Sequence, residues 1–333
     1  MGGPRLIRFG LIGAGMIGRL HAGNLARRLP GAELRAIADV DGPAAEACAR
    51  DLGVTDVYSD YRALLKAADI DAVAVCSPRQ THAPIVRDAA AAGKHIFCEK
   101  PLGVALPEID AALAGVAGAG VKLFVGFNRR FDATYRRAYE AISAGTLGTP
   151  RILHLVSRDP ELPGADERTW DDVFLDTTVH DFDMARHLAG SEVASVQSIA
   201  FADGKRPAEG VLTVLRFRNG AVGTIDNSLR SVAGYDQRVE VFGSQGTLAT
   251  QNETPHRAVL RDAAGEHAPP PPFFFRERYA ASYEAEMAEF IRCLREDSAP
   301  SVTGADGRAA VALALAAARS LTGRRPVAPD GAG

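Results

Sequence analysis

Apolar positions in the first third of the chain cluster into short, nearly unbroken runs, at residues 6–12, 34–39, 54–58, 72–76, 96–98 and 122–126. Between them apolar residues recur with helical spacing, as in 16–29 and in the alanine-rich stretch opened by Pro43, a residue suited to a first helical turn. Strands apolar on both faces, alternating with helices, predict a parallel sheet covered on each side, a doubly wound α/β domain. From about residue 150 the pattern changes to longer strand-like runs, at 151–158, 193–201, 211–218, 221–230 and 237–243. Asn219-Gly220, between two of them, is a strong hairpin signal. This half therefore predicts a large, mostly antiparallel open sheet, with a helix at about 177–189. A stiff tetraproline connector at 269–272 leads to helices at about 276–296 and 305–322. The expected division is 1–128 and 129–333, with the last helix packing back on the first domain.

Composition narrows the class. The chain has 333 residues, 47% hydrophobic and 24% charged, enough for two cores of a soluble globular protein. Its net charge of −3 gives no footprint for a nucleic acid, and the scattered Arg pairs read as solvated faces. No apolar run reaches membrane-spanning length, and the start MGGPRLIR lacks the features of a secretory leader. The cysteines at 48, 76, 98 and 293 show neither a CxxC pair nor a zinc spacing, so a reducing cytoplasm is the expected compartment.

Three motifs carry candidate chemistry. Gly13-Ala14-Gly15-Met16-Ile17-Gly18 follows the first strand and opens a helix, and Asp39 ends the second strand. In that context GxGxxG predicts a dinucleotide site. Gly13 turns the chain, Gly15 admits the pyrophosphate and Gly18 lets helix and strand approach. A carboxylate at Asp39 accepts both ribose hydroxyls and repels a 2′-phosphate, which favours NAD over NADP; a simple strand-end cap is the other reading. Glu99-Lys100-Pro101 closes the fifth strand, on the edge where open sheets bind ligands. There Lys100 can orient a hydroxyl and favour alkoxide-like charge, or merely mark the strand exit. Asp176 and His180 are four apart, so on a helix they share a face. With Asp176 at the helix start, the positive helix end is expected to keep His180 neutral, as a general base requires. Shared metal ligation is the runner-up use of this pair; no third ligand has recognisable spacing.

Taken in order, GAGMIG, CEKP, GFNRRFD at 126–132 and the D-x-x-x-H within FLDTTVHDFDMARHL resemble the Gfo/Idh/MocA oxidoreductase family over nearly the whole chain. The stretch around Tyr235 resembles its inositol 2-dehydrogenase branch. The resemblance implies a Rossmann domain, a second α/β domain whose open sheet supports dimers or tetramers, and NAD-linked oxidation of a ring hydroxyl in a cyclitol or sugar. Lys100, Asp176 and His180 take the catalytic roles by motif position, with His180 as acid/base. Ser77, Arg79, His82, Glu99 and Lys100 fall where the family's loops meet the cofactor. Arg129, Asp159, Asp172 and Tyr235 join the catalytic three as expected substrate contacts. Asp171-Asp172 stand where relatives commonly carry glycines, and Asp159 where the inositol enzymes tend to have asparagine. Both changes put negative charge near the expected pocket and widen the substrate class to other cyclitols, aldoses and amino sugars. A same-fold hydrolase with transient redox is the alternative enzyme. A non-catalytic sugar sensor is disfavoured by the presence of Lys100 and His180.

Overall fold

A computed structural model describes residues 6–161, 168–201 and 209–329; the Met1–Arg5 part of the expected leaderless start lies outside them. The chain forms two compact units. One runs to Asn128 and regains Ala281–Val311; the other holds Arg129–Ala280 and the chain from Ala312.

In the first unit the strands are β1 (Ile7–Ile12), β2 (Ala32–Ala38), β3 (Asp56–Tyr58), β4 (Ala72–Val75), β5 (His95–Glu99) and β6 (Leu123–Gly126). They form an all-parallel sheet in the order β3-β2-β1-β4-β5-β6, the doubly wound arrangement. The crossovers carry helices α1 (Met16–Arg27), α2 (Gly42–Leu52), α3 (Tyr61–Leu65), α4 (His82–Ala91) and α5 (Leu106–Ala119). Asp41 caps α2 by accepting from the Ala44 N–H, with proline in the first turn.

The second unit begins with α6 (Ala133–Ser143) and β7 (Pro150–Arg158). A helical run over 170–189 follows, made of α7 (Trp170–Asp172), a π-helical segment (Val173–Thr178) and α8 (Val179–Ala189). Strands β8 (Val193–Phe201), β9 (Gly210–Phe217), β10 (Val222–Ser228), β11 (Asp236–Gly243) and β12 (Thr247–Ala249) complete a sheet in the order β12-β11-β7-β10-β9-β8. Only β7 and β10 pair in parallel within it. Gly220, at φ +88°, makes the β9–β10 turn. Leu153, Leu155, Ile225, Leu215 and Val241 lie on the covered face, while Ile199, Phe201, Leu212, Val222 and Phe242 remain exposed on the other.

A small hairpin of β13 (Leu260–Asp262) and β14 (Gly265–His267) precedes α9 (Phe275–Arg278), α10 (Ala280–Arg295) and α11 (Gly304–Gly323). Here the structure departs from a clean cut after residue 128. From Ala281 onward α10 belongs to the first unit, because its stripe of Tyr283, Met287, Phe290 and Ile291 is buried there. Phe290 meets Phe9 at 6.1 Å, Phe124 at 5.8 Å and Phe97 at 6.2 Å. Burying one such ring is worth about 1.5–3 kcal/mol. The start of α11 also joins the first unit, where Gly304 and Gly307 leave room for Leu113 and Leu102.

Candidate active site

The strand order reverses between β1 and β4, and the glycine loop leaves β1 at that switch point. Gly13 takes φ +100°, and a Cβ on it would lie 2.6 Å from the backbone of Cys76 and Ser77. A Cβ on Gly18 would sit 1.9 Å from the Gly13 carbonyl oxygen. Gly15 differs: nothing lies within 4 Å of where its Cβ would stand. Gly15 caps α1 with no side-chain bond, and the first turn holds no acid. The helix N–H groups behind it are therefore open to an anion. Ala14 is buried, Ile17 half-buried and Met16 exposed. These residues fit the pyrophosphate of a dinucleotide.

Asp39 does the capping job the sequence allowed it. Its Oδ2 accepts the Ala14 N–H at 2.6 Å and its Oδ1 the Asp41 N–H at 2.9 Å, so it ties the loop. Each oxygen retains acceptor capacity for a ribose hydroxyl. Val40 beside it is 92% exposed and offers no cation to a 2′-phosphate.

At the next strand ends the candidates separate. Ser77 is half-buried and its Oγ lies 2.7 Å from Thr81 Oγ1, in the same turn as Arg79. His82 is buried, with Nδ1 2.7 Å from the Pro101 carbonyl oxygen and Nε2 2.7 Å from that of Ser77. It braces one loop against the other instead of offering a nitrogen to the cofactor. Burial lowers its pKa against the pull of the two carbonyls. Glu99, also expected at the cofactor, is buried: Oε1 lies 2.7 Å from His21 Nε2, and Oε2 accepts the Lys100 N–H at 3.1 Å. Lys100 follows it, half-buried.

In the second unit the local helix is not what the spacing predicted. Asp176 lies inside the π segment, and the run begins at Thr169, where Thr169 and Asp172 form a reciprocal capping box. His180 is therefore deep in the run, too far from its positive end for the dipole to act on it. The i→i+5 winding also replaces the simple four-residue face; π segments of this kind recur at functional sites. Asp176 and His180 are both half-buried, and Arg168 Nη2 lies 3.7 Å from Asp176 Oδ2. Asp172, expected at the substrate, spends its carboxylate on the Thr169 cap instead.

Arg129, likewise expected at the substrate, is 3% exposed. It donates to Asp181 Oδ1 at 2.6 Å and to Ser157 Oγ at 3.1 Å. Ser157 donates to Gln237 Oε1, and Gln237 Nε2 reaches Asp159 Oδ1 at 3.4 Å. Asn227 donates to Asp181 Oδ2 at 3.0 Å and accepts from Thr178 Oγ1 at 2.8 Å. Burial opposes the Arg129 charge, but Asp181 holds its pKa well above the ordinary range, while burial raises the Asp181 carboxyl against the pull of Arg129. Tyr235 is buried edge-on to Tyr279 at 5.9 Å; burial and then Asp159 push its phenol far up. Asp159, Tyr235 and Arg129 thus share one polar layer under the helical run, with Asp181 as a member that no sequence motif marked.

Two family models match parts of the chain. One, for an oxidoreductase family with an NAD-binding Rossmann fold, matches residues 7–127; the other, the GFO/IDH/MocA C-terminal domain, matches 135–249. The chain belongs to the Gfo/Idh/MocA oxidoreductase family. It is 42% identical to myo-inositol 2-dehydrogenase of Thermotoga maritima, over 96% of this chain and 98% of that protein. It is 39% identical to inositol 2-dehydrogenase of Rhizobium meliloti, over 96% and 98%. Its fold matches the crystal structure of Lactobacillus casei myo-inositol dehydrogenase in complex with NAD(H) and myo-inositol. That match has a TM-score of 0.91, 29% identity and coverage of 97% and 96%. As a Gfo/Idh/MocA member the protein is an oxidoreductase with an NAD-binding Rossmann domain.

Sequence reasoning missed two buried groups of the Rossmann unit, His21 and Glu286. The available signal was polarity on apolar helix faces: His21 within the buried side of α1, Glu286 between Tyr283 and Phe290 on α10. Among the described residues the one cluster with metal-ligand donors is His21, Glu99 and Glu286, not Asp176 and His180.

Proposed function

We propose that this Gfo/Idh/MocA oxidoreductase oxidises a ring hydroxyl of a cyclitol, myo-inositol or a close relative, to the ketone. The observation that carries the reading is the 42% identity, over nearly all of both chains, to a myo-inositol 2-dehydrogenase. NAD, when bound, accepts the hydride from the carbinol carbon. His180 takes the hydroxyl proton as that hydride leaves and returns it in the reverse direction. Lys100 orients the hydroxyl and stabilises the negative charge building on its oxygen. Asp176, with Arg168 beside it, holds the imidazole or a neighbouring hydroxyl. Asp159 and Tyr235 supply an acceptor and a donor for the remaining hydroxyls, and the buried Arg129 supports them. NAD is preferred to NADP because Asp39 would repel a 2′-phosphate and the exposed Val40 offers no countercharge. The enzyme works as a homo-oligomer, dimer or tetramer, in a reducing cytoplasm, where its four free buried cysteines stay reduced.

The test is NADH formation across a panel of inositols, other polyols and aldoses, with NAD and with NADP. Turnover of an inositol with NAD is expected; silence across the panel with NAD binding intact overturns the reading. Lys100→Met and His180→Ala are each expected to lower kcat by at least ~100-fold, as loss of an electrostatic or acid–base group does, while NAD still binds.

A further inference from the structure

His21 and Glu286 have no part in cofactor or substrate contact, yet they sit against the strand end that bears Lys100. Both are fully buried on helices of the Rossmann unit, α1 and α10. His21 Nε2 lies 2.7 Å from Glu99 Oε1 and 4.0 Å from Glu286 Oε1. The imidazole is wedged edge-on against Phe97 at 4.9 Å and Tyr283 at 5.7 Å. Two carboxylates in one apolar pocket cannot both stay ionised without a cation. Glu286 has no hydrogen-bond partner for either oxygen, whereas Glu99 accepts from both His21 and the Lys100 N–H. Burial, then the nearby Glu99, push the Glu286 carboxyl well above its ordinary range.

The two oxygens of Glu99 thus have different duties: Oε1 is fastened to α1 through His21, and Oε2 fastens the peptide of Lys100. The same α1 carries Gly15 at its N-terminus, so one helix sets both the phosphate cradle and the base of the Lys100 side chain. We propose that His21 is a positioning residue for Lys100, acting through the Glu99 carboxylate. This inference rests on the reading of Lys100 as the group that orients the substrate hydroxyl. Metal ligation by the trio fits less well. The 2.7 Å contact already joins His21 to Glu99, and a bound ion would have to break it.

The test compares His21→Phe, which keeps ring bulk and removes the donor, with His21→Gln, which restores an N–H near the Nε2 position. In the purified enzyme, His21→Phe is expected to lower kcat by ~10- to 100-fold, the cost of a misplaced catalytic group, with little change in the KM for NAD. His21→Gln is expected to recover most of that loss. Hydrogen exchange at the Lys100 amide, read without substrate, is expected to quicken in His21→Phe and to be restored in His21→Gln. Unchanged exchange in His21→Phe overturns the positioning role whatever the activity does. So does a loss that His21→Gln fails to repair, or one equivalent of metal in the native enzyme that His21→Gln removes. A fully active Lys100→Met, with the exchange effect intact, instead sinks the catalytic reading of Lys100.

Discussion

Single side chains here act through what stands next to them. Gly15 and Gly18 belong to one motif yet face opposite constraints. Gly18→Ala would drive a methyl into the Gly13 carbonyl, and a cost of about 1–3 kcal/mol is expected in chemical denaturation. Gly15→Ala meets open space at φ −69°, so its unfolding midpoint should stay close to that of the native chain while NAD affinity falls in titration. Glu286 makes a residue-scale prediction with a sign. Its folded pKa lies above the ordinary 4.5, so above that pH the folded chain keeps a proton that the unfolded chain releases. Stability contributed at this position therefore falls as pH rises. Glu286→Gln removes the titration, and its melting temperature should gain on the native chain as pH is raised above 4.5. A constant difference across pH would contradict a protonated Glu286.

At the scale of elements, the helical run over 170–189 and the covered face of the second sheet are joined by polar groups rather than by apolar packing alone. Thr178 and Asp181 from the run meet Ser157, Asn227 and Arg129 in one layer. Such a layer fixes the rotation of the run, and with it the direction of Asp176 and His180, because a slip would leave several buried groups unmatched. Arg129→Leu leaves Asp181 buried without its countercharge, and a loss of about 3–5 kcal/mol is expected in urea unfolding. Adding Asp181→Asn to it should recover part of that loss, a coupling that a double-mutant cycle reads directly. The sequence pointed to Asp176 and His180 by spacing. It did not reveal the π winding, since backbone hydrogen-bond register leaves no mark in apolar periodicity. Asp172 was misplaced for a related reason: its proximity to the motif suggested substrate, but Thr169 three residues earlier makes it half of a capping box.

For the whole molecule, the second sheet presents Ile199, Phe201, Leu212, Val222 and Phe242 on its open face. Between them lie the charged side chains of Arg158, Asp226, Asp236 and Arg238, already paired with one another. An apolar face with internally matched charges suits a second copy of itself. For the homo-oligomer proposed above, Leu212→Asp is expected to lower the mass measured by light scattering to that of a smaller assembly; an unchanged mass would count against this face as an interface. No helix among the described residues is long and apolar enough to cross a membrane.

The sequence by itself determined the alternation of strands and helices, the glycine loop with Asp39, and the family to which Lys100, Asp176 and His180 belong. Those properties rest on local period, on backbone demands that only glycine meets, and on motifs a few residues long. Tertiary structure decided the rest. It returned α10 to the Rossmann unit, buried Arg129 against Asp181, and turned His82 and Glu99 from expected cofactor contacts into braces. It also gathered His21, Glu99 and Glu286 from three distant segments into one pocket. Burial and pairing depend on which segments meet, and no local pattern records a meeting between residues 21, 99 and 286.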